Sequence, residues 1–383
     1  MRHFRAFPLG MGCSLIRHSL IHLYSFSQNC LFSKDPAVRI WFVSCVSLCW
    51  IFFSPLSSSQ ISSDLESAKK QGLILYNMSL GKQVNNHAAS LIEVAAKAGD
   101  PESQYYMGEI ERQKSTFISS EAQQWYQKAA DQGDIYSMLR LATADNKLCQ
   151  LLENCGVTVK AAEEWADSAR TLGERRARQG NGEAMFQLYL LTNDLDWLIK
   201  STDAGFPEAQ DWLAVQYQEG AGYFLIPGKR DKEIERLFRA AAQAGYVPAM
   251  GNLATYLLSK KDLIGAGSWI KAAADYGHFG AVSNYGAWSA HAPDRVGFPL
   301  DLVKAYGLIY LLAKAEPGAY GYGERKLKKI SDIMSDEQLE AGKAFAVEWK
   351  KTHPPLSRFL PKSSKLINND ARKFSCIEVC ENS

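Results

Sequence analysis

A spacing pattern anchored on glycine recurs six times along this chain, and no other feature constrains the fold as tightly. The glycines are Gly99, Gly133, Gly180, Gly205, Gly245 and Gly277. Eight residues before them stand Leu91, Trp125, Leu172, Trp197, Leu237 and Trp269. Three before stand Ala96, Ala130, Ala177, Thr202, Ala242 and Ala274. Four after come Ser103, Ser137, Ala184, Ala209, Ala249 and Ala281, and eight after come Met107, Leu141, Leu188, Leu213, Leu253 and Tyr285. The ninth position is compact in Gly108, Ala142, Ala214, Ala254 and Gly286, and only Tyr189 departs from the rule.

The spacing has a physical reading. Residues before each glycine carry helical periodicity, as in "AQQWYQKAADQG", where Trp125, Ala129 and Ala130 share one face. Glycine tolerates the left-handed geometry that ends a helix, and a second helix starts just after it. Each unit is therefore an antiparallel helix pair. One pair of short helices cannot bury its own apolar face, so successive pairs must stack. The expected fold is all-α, a superhelical solenoid of stacked antiparallel helix pairs. Trp125, Trp197 and Trp269 recur at one phase, which predicts inter-helix packing and not a ligand-stacking row.

The "KAAxxG" and "A...LG..Y" patterns, joined by loops such as "EGAGYFLIPGKRDKE", resemble the Sel-1-like repeat, a relative of the tetratricopeptide repeat. The resemblance runs from about Leu91 to Ala315. It departs from the family pattern in the 47-residue interval between Gly133 and Gly180, the 25-residue interval between Gly180 and Gly205, and Tyr189. Residues 60–315 are expected to form the solenoid and 316–353 the C-terminal capping helices. Ser335 and Gln338 make a capping box at the start of the last helix, whose Leu339, Phe345, Ala346 and Trp349 face the final hairpin. Pro354 and Pro355 end it, and 354–383 reads as a flexible tail.

The first 59 residues differ in kind. Residues 39–59, "RIWFVSCVSLCWIFFSPLSSS", have a basic start, an apolar run from Ile40 to Phe53 and small polar residues after it. That is the anatomy of a secretory signal peptide, or alternatively of an uncleaved N-terminal anchor. Residues 1–38 read as a misannotated or unstructured leader. Export to the periplasm or cell envelope of a bacterium follows as the expected localisation. Cys149, Cys155, Cys376 and Cys380 would remain after cleavage. Cys149 and Cys155 flank a short loop that a disulfide would close, and no cysteine or histidine set has metal-ligand spacing.

Charge and motifs narrow the function. Residues 1–59 hold Arg2, Arg5, Arg17, Lys34 and Arg39 against Asp35, leaving 38 basic and 40 acidic residues in the remainder. A near-neutral body argues against nucleic acid, whose binding needs a basic stripe. Contact with a membrane is expected only through the N-terminal segment. Beyond the leader the histidines are His87, His278, His291 and His353, none in a nucleophile or metal motif, and the glycines of "EGAGYFLIPGK" lack the ending of a phosphate loop. No cofactor and no catalysis are expected.

Recognition is then expected in long intra-hairpin connections at 143–159, 218–230 and 288–300, with Tyr223, Phe224, Trp288 and Arg295 as anchors, joined by Tyr320 and Tyr322 near the cap. The resemblance implies a protein-binding scaffold. Exported members with this organisation resemble immunity proteins of type VI secretion that sterically block phospholipase effectors, which makes a lipase-type toxin the expected partner. An envelope or surface adaptor for a bacterial or host protein is the alternative, and a hydrolase with an unrecognised pocket the third class.

Overall fold

The structure, a computed structural model, describes residues 58–78, 86–114, 118–143, 160–292, 294–315 and 322–362. The chain divides after Asp64, and the unit Leu65–Ser383 holds the helix pairs. Helix α1, Ser58–Met78, leads into them. It begins inside the 39–59 segment, the rest of which lies outside the described residues, as do 1–38 and the four non-leader cysteines.

Six hairpins follow. They are α2 (Asn86–Lys97) with α3 (Pro101–Gln113), α4 (Ser120–Asp131) with α5 (Ile135–Ala142), and α6 (Ala162–Ala177) with α7 (Gly182–Thr192). Next come α8 (Leu195–Asp203) with α9 (Pro207–Gln218), α10 (Lys229–Gln243) with α11 (Val247–Ser259), and α12 (Leu263–Asp275) with α13 (Phe279–Ser289). Helices α14 (Leu302–Ala315), α15 (Tyr322–Ser331) and α16 (Asp336–Thr352) complete the series. From α2 to α15 each helix packs on its successor, and α16 returns to α14. The described residues contain no strand, only an isolated bridge between His278 and Ser357.

The repeated glycines sit where the spacing placed them, one in each hairpin turn, at φ between 78° and 102°. Each turn makes the same two backbone hydrogen bonds. At Gly277, its N–H donates to the carbonyl of Ala274 (2.8 Å) and that of His278 to Ala273 (3.0 Å), which satisfies two carbonyls left over by α12. The residue after the glycine then starts the second helix. Asp100, Asp134, Asn181 and His278 accept from the backbone N–H three residues on, whereas Phe206 and Tyr246 lack a side-chain cap and are followed by Pro207 and Pro248 in the first turn.

The core register differs from the sequence expectation by one residue. The fully buried position lies seven before the glycine, at Ile92, Tyr126, Leu198, Phe238 and Ile270, each no more than 2% exposed. Trp125, Trp197 and Trp269, eight before, are half-buried at the margin of the cores. Their indoles are amphipathic enough for that edge: the Lys128 ammonium lies 4.4 Å over Trp125 and the Lys200 ammonium 4.5 Å over Trp197. Trp269→Ala is therefore expected to cost about 1–3 kcal/mol, against ~3–5 kcal/mol for the fully buried Phe238→Ala, in paired denaturant titrations.

Tyr189, the exception at the ninth position, has its own partner. It is buried, stacks on Phe186 at 6.1 Å between centroids, and its hydroxyl accepts from the Trp212 indole N–H at 3.0 Å. Where that position is glycine, a side chain of a following helix fills it: a Cβ on Gly108 would stand 2.5 Å from the Tyr126 ring, and one on Gly286 3.1 Å from Ile309 and Leu308.

The closing helix forms as its capping box predicts. The Gln338 N–H donates to Ser335 Oγ (3.3 Å) and the Ser335 N–H to Gln338 Oε1 (3.0 Å). Ala346 and Trp349 are buried against the preceding helices. Helices α14 and α16 approach so closely at Gly307 that a Cβ there would lie 2.7 Å from the Gly342 carbonyl oxygen.

Candidate interaction surfaces

The connections expected to lie within hairpins join one glycine hairpin to the next instead. The 143–159 connection lies outside the described residues beyond Thr143. In 288–300 the chain folds down onto the core. Trp288 is 3% exposed and Val296 is buried, while Phe298 packs edge-on to Tyr285 at 5.2 Å. Trp288 thus belongs to the interior and offers no surface to a partner. Its position, eleven after the glycine, is also buried and apolar at Ile110 and Tyr256. Arg295 is half-buried. Tyr320 lies outside the described residues, and so does the side chain of Tyr322, whose backbone opens α15.

The 218–230 connection turns three large apolar side chains to solvent. Tyr223, Leu225 and Ile226 stand 89%, 80% and 62% exposed. Phe224 turns the other way, edge-on to Tyr217 at 5.0 Å and beneath the Arg230 guanidinium at 4.7 Å. Arg230 locks the loop from inside. Its Nη1 donates to the carbonyls of Tyr217 (2.8 Å) and Ala221 (2.6 Å), and its Nη2 to those of Gly222 (3.0 Å) and Gly220 (3.4 Å). Five donors in a planar fork suit one arginine to this task. The tip is held in one shape, so little conformational entropy remains to be lost on contact.

A second surface runs along the glycine turns. Residues 353–362, expected as a capping end and flexible tail, pack across this edge. The Ser357 N–H donates to the Gly277 carbonyl (2.9 Å) and its carbonyl accepts from the Phe279 N–H (2.9 Å). Arg358 lies 4.4 Å over Phe279, and its N–H donates to the Asn77 carbonyl of α1 at 3.1 Å. Lys362 then reaches the first hairpin, where its ammonium pairs with Glu102 at 2.9 Å and lies 5.6–5.9 Å from the rings of Tyr105, Tyr106 and Tyr136. The Tyr105 hydroxyl donates to the Lys362 carbonyl at 3.2 Å.

Electrostatics favour this placement. Glu102, Glu183 and Glu208 occupy the first turns of α3, α7 and α9, where the helix dipole favours anions. Burial would lower the Lys362 ammonium, but Glu102, Asp134 and Glu183 outweigh it and hold it above the ordinary lysine range. Burial and the Arg358 guanidinium push His278 down to about 4, so at neutral pH its Nδ1 is free to accept the Ala281 N–H at 3.1 Å.

Two buried polar groups escape sequence reading. Glu109 accepts from Tyr126 (2.8 Å), Arg140 (2.5 Å) and Arg112 (3.0 Å) where α3, α4 and α5 meet. Asp211 of α9 is buried with the Asn252 amide donating to its oxygens at 2.9 and 3.1 Å, and burial pushes it up to about 7. Among the described residues no group of three histidine, cysteine or acidic side chains could hold a metal, and no helix is long and apolar enough to cross a membrane.

No family model and no curated protein matches the sequence. Two of the structural neighbours carry Sel1-type repeats. The chain is similar, at 20% identity and a TM-score of 0.42, to a protective antigen of uropathogenic Escherichia coli displaying an SLR fold, with 78% of this chain and 63% of that one covered. It is also similar to a Sel1 repeat protein from Oxalobacter formigenes at 21% identity and a TM-score of 0.35, covering 64% of this chain and 99% of that one.

Proposed function

We propose that this chain is a non-catalytic, exported protein-binding scaffold. The observation that carries the reading is the 218–230 loop, an arginine-locked element on a helical array with Tyr223, Leu225 and Ile226 turned to solvent. Three large apolar side chains on one rigid tip are the form of an interface core, where aromatic and aliphatic anchors supply most of the binding energy. Within that class the reading is an immunity protein in the bacterial envelope, whose partner is a lipase-type toxin that it blocks sterically. The signal-like segment 39–59 and the lack of a catalytic motif in the sequence support it.

The test is affinity capture of partners by residues 60–383 from the native organism, comparing the unchanged chain with a Tyr223→Ser, Leu225→Ser double variant. Both positions are exposed, so the thermal midpoint is expected to stay within about 2 °C. Capture of one lipase-like protein, its inhibition on mixing, and at least tenfold weaker capture by the double variant are expected. Recovery of an envelope or host protein without any lipase would replace the immunity reading with that of an adaptor.

A further inference from the structure

The glycine-turn edge holds a site that its own chain occupies. Lys362 enters a pocket walled by Tyr105, Tyr106 and Tyr136 and closed by Glu102, and the backbone leading to it from Pro354 is irregular apart from an isolated bridge at Ser357. An ammonium between aromatic faces and a carboxylate is held by cation–π and ion-pair attraction together. The described residues from 353 to 362 form no helix beyond a single turn position, and all remain partly solvent-exposed. Phe359 sits at φ 49°, a conformation that disfavours a bulky side chain. Beyond the His353 N–H, which ends α16, few hydrogen bonds between backbone groups of the described residues hold the segment: two through Ser357 and one through the Arg358 N–H. Such a segment opens at a small fraction of the global unfolding cost, whereas the pocket is built from helices α3 and α5, which stay packed.

We propose that this edge is a lysine-selective peptide site, for which residues 354–362 are the resident occupant and a non-helical, lysine-bearing segment of a partner protein is the exchanging one. The proposal rests on the scaffold reading and specifies what one partner contact looks like. The ligand chemistry is read from the occupant: a bridging residue that donates to the Gly277 carbonyl and accepts from the Phe279 N–H, a left-handed turn two residues on, then a lysine about five residues on. An acidic segment would meet Glu102, Asp134, Glu183 and Glu208 and be repelled.

The experiment titrates the purified full chain with a fluorescent peptide of the sequence Pro354–Lys362, read by anisotropy. Lys362→Ala vacates the pocket, and this variant is expected to bind the peptide at least tenfold more tightly than the unchanged chain. Replacing the peptide's own lysine by alanine, or adding Glu102→Gln to the variant, is expected to abolish the gain. In the unchanged chain, where no variant has to fold, excess peptide is expected to speed hydrogen exchange at the Ser357 and Arg358 amides at least tenfold. Equal affinity for both chains, indifference to the peptide lysine, or unaltered exchange would overturn the proposal. The Tyr223 loop takes no part in this titration, so a negative result leaves the scaffold reading intact. Lost capture in the loop variants likewise leaves the peptide site to stand or fall on its own measurement.

Discussion

Arg140→Ala is expected to lower stability by about 3–5 kcal/mol at pH 7, among the largest losses any single substitution here should produce. The guanidinium is 4% exposed and faces Glu109, which is 3% exposed. Truncating it leaves a buried carboxylate with only Arg112 and the Tyr126 hydroxyl. Burial raises the Glu109 carboxyl, but Arg140 and Arg112 outweigh it and hold it below the ordinary range. Its ion-pair stabilisation is therefore present above the unfolded value of about 4.3 and is lost as pH falls through the lower folded value. Without Arg140 the carboxyl protonates more readily, so the deficit should shrink towards pH 4. Adding Glu109→Gln should recover part of the loss, because the amide oxygen still accepts from Tyr126. Urea titrations at pH 4 and pH 7 measure both effects, and a deficit independent of pH would contradict the assignment.

Asp211→Asn should act in the opposite direction. Asp211 has an amide partner but, among the described residues, no ion-paired cation, and burial lifts it to about 7. The folded state thus keeps a proton that the unfolded chain releases near pH 3.9. The favourable contribution is complete below about pH 4 and disappears as pH rises through about 7, a fall of roughly 4 kcal/mol across that window. The neutral asparagine removes this dependence. A gain of about 2–4 kcal/mol at pH 8 and almost none at pH 4 is expected from thermal and urea unfolding. No gain at pH 8 would show that Asp211 is ionised at little cost.

The turn positions were legible because their chemistry is local. A glycine at positive φ and a capping residue beside it need nothing beyond the hairpin itself, and the capping box at Ser335 is local too. The tryptophans do pack between helices, but the core phase is one residue on, because a large amphipathic ring fits the margin and a compact side chain the centre. Leu198 and Ile270 are smaller than Trp197 and Trp269 but are the buried ones. Trp288 adjoins an irregular connection and so resembles a surface anchor, yet Ile110 and Tyr256 mark its repeat position as apolar and it is buried. Tyr223 and Phe224 were found by residue type, yet the sequence does not tell that one points outward and the other lies under Arg230.

The 353–362 segment was hidden for a different reason. "HPPLSRFLPK" carries no periodicity, and its partners are remote in sequence. The Tyr105–Lys362 hydrogen bond spans 257 residues. Glu109 with Arg140, and Asp211 with Asn252, likewise join separate helices, so neither pair follows from spacing along one of them.

That segment changes how the array should come apart. Lys362, paired at the first hairpin, is the fifth residue after Ser357, bonded at the sixth turn, a reach of at most about 18 Å. In a linear repeat array each unit feels only its neighbours, so the ends fray first and unfolding spreads inward with weak cooperativity. Here the first and sixth hairpins are stitched to each other. While the stitch holds, melting of α3 would be felt at Gly277 although four hairpins lie between them along the chain. Once it opens, the same helices should respond only to their neighbours, so one short segment sets whether distant hairpins report on each other.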